Sequence, residues 1–260
     1  MAIVITLLLA AAAVALVVIF GAPAPATQES DDDFGTVDVY QVKDDGSLDP
    51  AATGLTAEVW ATFQRVATPQ FTADSMTQYR VGNAPSSDTL AYVYQDDDPR
   101  YWVLAANLAT SEDRTQLIAT LIHEYGHILT LGVKEVDPPQ TNCATVKLDE
   151  GCPAEDSLLW VFNQKFWAPY GDSAPEAANS DADVAYDFYL AHEEDFVDDY
   201  AATNVIEDVA ETFMTFVLED EPTADTVVAG KISVFWNYPE FVQIRDRIRT
   251  EFAAELGLST

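Results

Sequence analysis

Positive charge is what this chain most lacks. Only 12 of its 260 residues are lysine or arginine, against 44 aspartates and glutamates, a formal net charge of −32. Nucleic-acid binding draws its affinity from neutralising phosphates with cationic side chains, so that class of partner is excluded. An acidic coat keeps a protein soluble at high salt but also occurs on ordinary secreted proteins, which leaves a halophilic source open. Cysteine is nearly absent. The only two, Cys143 and Cys152, stand in "TNCATVKLDEGCPAEDS", at a spacing that fits no common zinc pattern. In an exported chain an even pair this close reads as a disulfide closing a short loop. Histidine is as scarce, with three positions, His123, His127 and His192. No internal repeat occurs. The aspartate runs at 31–33 and 96–98 lack the Asp-x-Asp-x-Asp-Gly spacing of a calcium loop, so they read as solvated surface rather than a calcium-binding module.

The one long apolar run opens the chain. "MAIVITLLLAAAAVALVVIF" is apolar from Ala2 to Phe20 apart from Thr6, just long enough to span a bilayer. No lysine or arginine precedes Lys43, so the usual cationic start of a signal peptide is missing and only the α-amino group stands in. Ala24-Pro25-Ala26 has the small-x-small form of a cleavage site. Residues 1–26 are therefore expected to be a signal peptide or a membrane anchor, with both readings open. Either predicts an extracellular or cell-surface protein, attached to the membrane if the segment is retained. No cysteine lies near this leader, which argues against a bacterial lipid anchor. Residues 27–50, acidic and poor in apolar periodicity, read as a linker, and 51–260 as the folded domain.

Hydrophobic periodicity marks out the elements of that domain. Leu55, Val59, Trp60, Phe63 and Val66 recur at helical spacing. "TLAYVYQ" and "YWVLAANLA" read as two strands joined by the "DDDPR" turn, the second able to pair with an extended peptide at its edge. A helix follows, with Thr110 or Ser111 as its cap, Glu112 and Asp113 at its positive end and Gly132 as its terminator. Leu117, Ile118, Leu121, Ile122, Tyr125 and Leu129 form its apolar face. "DSLLWVFNQKFWAPYG" reads as a helix ended by Pro169 and Gly171, and an acidic connection leads to the helix "NVIEDVAETFMTFVLE". Two more helices, near 224–236 and 239–256, complete the chain. The outline is α+β, a small N-terminal sheet followed by a mostly helical remainder.

The chemistry concentrates in "TLIHEYGHILTLG", residues 120 to 132. Four residues along a helix return to nearly the same face, so His123 and His127 can offer two imidazole nitrogens to one ion. Glu124 lies about 100° round the axis, where it can reach a water without ligating the metal. Zinc suits such a site because it takes nitrogen and oxygen ligands, keeps a position for water and makes that water acidic. Glu124 can then act as the base. A third protein ligand is needed. The metzincin option fails, because it requires glycine and histidine where Thr130 and Val133 stand. Glu150 and Glu155 flank the cysteine loop outside any clear helix, and His192 reads as a lone surface histidine. In "DDYAATNVIEDVAETF", taking Ile206 as the centre of the buried stripe puts Glu207 at about 100°, Glu211 at about 140° and Asp208 at about 200°, facing water. Glu207 is thus the favoured ligand. The competing reading is a capping box, Asn204-x-x-Glu207, in which the glutamate reaches back to the helix start.

The pairing of "HEYGH" with "YAATNVIEDVAETF" resembles the catalytic domain of anthrax lethal factor and its relatives among the gluzincin peptidases. Tyr200, Thr203, Asn204, Glu207, Ala210 and Glu211 match the Tyr-x-x-Thr-Asn-x-x-Glu-x-x-Ala-Glu pattern of that family. The layout with its cysteine loop is also similar to secreted bacterial proteins usually labelled zinc peptidases. The resemblance implies a zincin-like metallopeptidase domain acting on peptide or protein substrates, with zinc held by His123, His127 and Glu207. It implies Glu124 as base, Tyr200 as hydrogen-bond donor to the oxyanion and Glu211 as the residue that orients a ligating histidine. The 80-residue interval between His127 and Glu207 is longer than in the toxin, so an insertion carrying the cysteines must sit beside the site. The rival reading is a non-catalytic surface or adhesion protein with a structural zinc, for which an intact Glu124 has no use.

Overall fold

The computed structural model describes residues 25–137 and 142–258. The leader expectation for residues 1–26 falls almost wholly outside them. The chain begins with strands β1 (Thr27–Asp31), β2 (Gly35–Val42) and β3 (Leu48–Asp49), then helices α1 (Gly54–Ala67) and α2 (Pro69–Ser75). Strands β4 (Met76–Gly82), β5 (Ala91–Gln95) and β6 (Trp102–Asn107) follow, and helix α3 (Arg114–Leu131) carries the two histidines. Two short strands, β7 (Val136–Asp137) and β8 (Cys152–Pro153), bracket the cysteine loop. Helices α4 (Leu158–Phe162), α5 (Ala182–His192), α6 (Val205–Leu218), α7 (Val227–Phe235) and α8 (Pro239–Leu256) complete the order. The α+β outline holds.

The main sheet runs β1-β2-β4-β6-β5, antiparallel except for the parallel β4–β6 pair. Residues 27–50 are thus part of the sheet and not a linker. Their acidic residues had masked a period-two alternation: Val37 and Val39 are buried on one face, while Asp38 between them faces the other way. With Phe34 and Ala105 they make a small second core on the sheet face away from the helices. The opposite face meets the helices through Tyr79, Val81, Trp102, Leu104 and Ala106. A second correction concerns "YWVLAANLA". It is the interior strand β6, buried throughout, and the edge of the sheet on that side is β5.

Helix α3 starts one turn later than expected. Asp113 is its cap, its Oδ1 accepting from the Thr115 and Gln116 amides at 3.0 and 3.1 Å. The Thr110 and Ser111 hydroxyls are spent on the Asn107 carbonyl, at 3.1 and 2.7 Å. Gly132 does end the helix, but in extended backbone (φ −68°) rather than a left-handed cap. The expected single helix over 156–171 is broken into α4, one wide turn over Asn163–Trp167 and a tight turn over Ala168–Ser173.

Asp208 is the sharpest departure on helix α6. Expected to face water, it is fully buried, 2.7 Å from the equally buried Lys231 Nζ of α7. Trp167 Nε1 donates to it at 2.7 Å and Thr212 Oγ1 at 3.2 Å, while the Lys231 ammonium also sits 3.8 Å above the Phe196 ring. A single-stripe reading fails because α6 is covered on two sides, by α3 on one and α7 on the other. Burial pushes the Asp208 carboxyl up to about 6 and the Lys231 amine down, and their mutual attraction opposes both shifts. Removing one partner strands a charge in the core. Lys231→Met should therefore cost about 3–5 kcal/mol in urea denaturation at fixed metal content. Adding Asp208→Asn, which keeps an acceptor for Trp167 without the orphaned charge, should recover more than half of that loss.

Candidate metal centre

The site is assembled by α3 and α6 crossing at close range. Gly126 lies at the contact: a Cβ there would stand 2.9 Å from Phe213 Cδ1 and 3.5 Å from the Ala210 Cα. Glycine lets the backbones approach, and the approach carries Glu207, one turn before Ala210, to the histidine pair. The His123 and His127 Nε2 atoms are 2.9 Å apart, and Glu207 Oε2 is 3.2 Å from each. Among the described residues these three form the one group whose histidine, cysteine or carboxylate ligand atoms all lie within 4.8 Å of one another.

A metal ion fits this triangle. Tetrahedral coordination with bonds of about 2.0–2.1 Å separates ligand atoms by about 3.3 Å. Protons alone do not satisfy it. For Glu207 Oε2 to accept from both rings, both Nε2 atoms must be protonated, and two N–H groups would then oppose each other across 2.9 Å. Accordingly Glu207 Oε2 is buried without an aligned hydrogen-bond donor. A shared cation would resolve the conflict.

The helix geometry also answers the capping question. Asn204 does cap α6, accepting from the Ile206 and Glu207 amides at 2.8 and 3.0 Å. The Glu207 side chain turns away from the helix start toward the histidines. Glu211, one turn on, places Oε1 2.7 Å from His123 Nδ1, the ring nitrogen not directed at the triangle. Burial pushes His123 down, but Glu207 and Glu211 outweigh it and hold the ring well above an ordinary imidazole. Burial pushes Glu207 up, and the rings of His127 and His123 pull it well below the usual carboxylate range.

Glu124 is buried beside the triangle yet outside it. Burial raises its carboxyl, the two histidines oppose that, and a backbone hydrogen bond from Val93 on the edge strand favours the charged form. Tyr200, on a short turn before α6, is half exposed, with its ring centroid 5.9 Å from that of His123. Its hydroxyl faces the carboxylates of the site. Desolvation there, reinforced by Glu207, Glu124 and Glu211, keeps the phenol protonated and able to donate.

Tyr200 stands between two recesses. One, about 530 Å³, runs from His123, Glu124 and Glu211 to Asp88 and Ala91 beside the edge strand. The other, about 260 Å³, lies beyond Glu207 and includes Glu150 and Asn179. The remaining ligand candidates do not reach the triangle. Glu155 is exposed, and His192 packs on Tyr170 and Phe188, its Nδ1 3.9 Å from Asp195. Cys143 and Cys152 are joined by a disulfide, Cα to Cα 5.4 Å. Sequence reasoning missed Asp198, which lines the same cleft as Glu211; burial and the Glu211 charge push its carboxyl up to about 6. Its position two residues before Tyr200 was the only signal, and nothing in the pattern marks it as buried.

No family model, no curated protein and no solved structure matches this chain.

Two measurements test the geometry. Glu207→Ala should strip most of the bound metal, because two imidazoles alone hold an ion poorly. Glu211→Ala should keep full stoichiometry with affinity lower by about ten- to a hundredfold. The reverse pattern in metal analysis would make Glu211 the ligand. Gly126→Ala is informative because alanine normally gains about 1 kcal/mol over glycine in a helix interior. Here the buried Phe213 ring must give way, so a net loss of about 1–3 kcal/mol and weaker metal binding are expected. A more stable variant with unchanged affinity would mean the helices can part freely.

Proposed function

We propose that this protein is an exported zinc metallopeptidase of gluzincin type, with a zincin-like domain. The observation that carries the reading is the position of Glu124: buried at the His123–His127–Glu207 triangle, outside the ligand group, and lining the same cleft as Tyr200. A structural metal site has no use for such a carboxylate. Zinc bound there would acidify a water and polarise the substrate carbonyl.

The chain's own residues do the rest. Glu124 accepts the proton of the attacking water and passes it to the leaving amine. Its raised pKa suits that return step, since the proton must reside on the carboxyl in between. The Tyr200 hydroxyl, kept protonated by burial and by surrounding carboxylates, donates to the oxyanion. Glu211 fixes the orientation of the His123 ring through Nδ1. The edge strand β5 borders the cleft at Ala91 and has no strand paired on its outer side, where an extended peptide could add. That supports a protein or peptide as substrate.

Metal-loaded Glu124→Gln should bind zinc at wild-type stoichiometry and cut no member of a peptide library that the parent cuts. Tyr200→Phe should lower turnover by about a hundred- to a thousandfold with metal content unchanged. If the purified parent holds zinc and a diverse peptide library stays intact with and without chelator, the non-catalytic surface protein with a structural zinc is the better reading.

A further inference from the structure

The recess beyond Glu207 holds a carboxylate that the mechanism does not use. Glu150 is largely buried, and its Oε2 is shielded from solvent without a hydrogen-bond partner. Among the described residues it belongs to no metal group, since its ligand atoms lie outside the triangle and no other cluster includes it. It is firmly held. The disulfide closes its loop, Leu148 anchors the loop in the core, and the Leu148 amide donates to the Gly151 carbonyl at 2.9 Å. Gly151 follows at φ +144°, seated so tightly that a Cβ would come within 1.9 Å of the Asp137 carbonyl oxygen. A carboxylate fixed in this way and held largely out of water costs free energy, and a cationic donor in the recess it lines offsets that cost best.

The rest of the recess suits one long cationic side chain. At about 260 Å³ it is smaller than the roughly 300–1,000 Å³ typical of small-molecule sites. Ala177, Ala178 and Ile206 offer apolar wall for a methylene stem, and Asp149 adds a second negative charge at the rim. Tyr200 and Glu207 border the recess, so an extended chain lying across the centre would deliver a side chain into it.

Resting on the peptidase reading, we infer that Glu150 selects substrates carrying lysine or arginine near the bond that is cut, the cationic head docking where its carboxylate lines the recess. The disulfide loop is then a specificity element, and the cysteine pair serves to hold one carboxylate in place.

The test separates binding from cleavage. Glu124→Gln protein, loaded with zinc, is titrated with N-acetylated peptides that differ only by lysine or norleucine at each successive position. Salt of roughly 1 M, where the Debye length is about 3 Å, suppresses the general attraction of a chain of charge −32. Lysine at one position should bind about ten- to a hundredfold more tightly than norleucine. Adding Glu150→Gln should erase the preference while leaving the norleucine peptide's affinity unchanged, and Glu150→Lys should favour glutamate there. The Lys variant also guards against a merely misfolded loop, since a collapsed recess would prefer nothing. A lysine preference that survives Glu150→Gln, no preference at all, or one seen only with free N-termini would overturn the assignment. Absence of cleavage by the parent would sink the peptidase reading alone, because the binding preference is read independently.

Discussion

The site depends on how closely two helices can approach. The α3–α6 contact has no side chain to spare at Gly126, where the ring of Phe213 and the Ala210 backbone fill the space a methyl group would take. All three ligand candidates lie within about one helical turn of that contact: His123 and His127 on α3, Glu207 on α6. Were the axes to separate by the width of one methyl group, the 3.2 Å distances from Glu207 to both rings would open. The rest of the core serves that approach. Ile118, Leu121 and Ile122 bury α3 in the main core, and Phe216 of α6 stacks on Phe235 of α7.

The second constraint is charge. Glu124, Glu207, Glu211 and Asp198 crowd around two imidazoles in a region largely removed from water. Each carboxylate without a partner costs several kcal/mol there, and protonation is the usual escape. The arrangement divides the burden unequally. Glu207 is pulled down by the rings, Glu124 is lifted by burial, and Asp198 is lifted by burial and by Glu211. Carboxylates driven apart in this way suit different tasks, ligation for one and proton exchange for another. A divalent cation at the triangle would balance the remaining negative charge.

Much of this was legible in the residues, and the failures share a cause. The His-Glu-x-x-His spacing, the cysteine pair and the position of Glu207 follow from local geometry: helical period, loop length and the need for a further ligand. The strands at 91–95 and 102–107 and the last three helices were likewise marked by period and composition. What failed depended on neighbours distant in sequence. Residues 27–50 look like a linker until β4 arrives to pair with β2, and Val37 and Val39 find a face to bury. Helix α5 hid in an acidic stretch because only Ala185 and Phe188 are buried in it. Asp208 looked like a surface residue because α7, some twenty residues on, supplies the lysine that makes its burial tolerable. Nothing in the sequence marks Asp198 or Glu150 as withdrawn from water, since a buried acid and an exposed one are spelled alike.

Asp208 and Glu207 together explain why so costly an interaction as a buried ion pair sits in this helix. The two carboxylates are neighbours, so their side chains leave the α6 axis about 100° apart. One faces the histidines, and the other faces Lys231, Trp167 and Thr212 in the core. Apolar contacts on α6 tolerate a small rotation, because packing energy changes gradually and side chains can adjust. A fully buried ion pair at 2.7 Å does not, since turning Asp208 away exposes two charges to a medium that cannot solvate them. The pair therefore sets the rotation of α6 about its own axis, as Gly126 sets its distance from α3. With distance and rotation both fixed, Glu207 has one place to put its oxygen, and that place is between the two imidazoles.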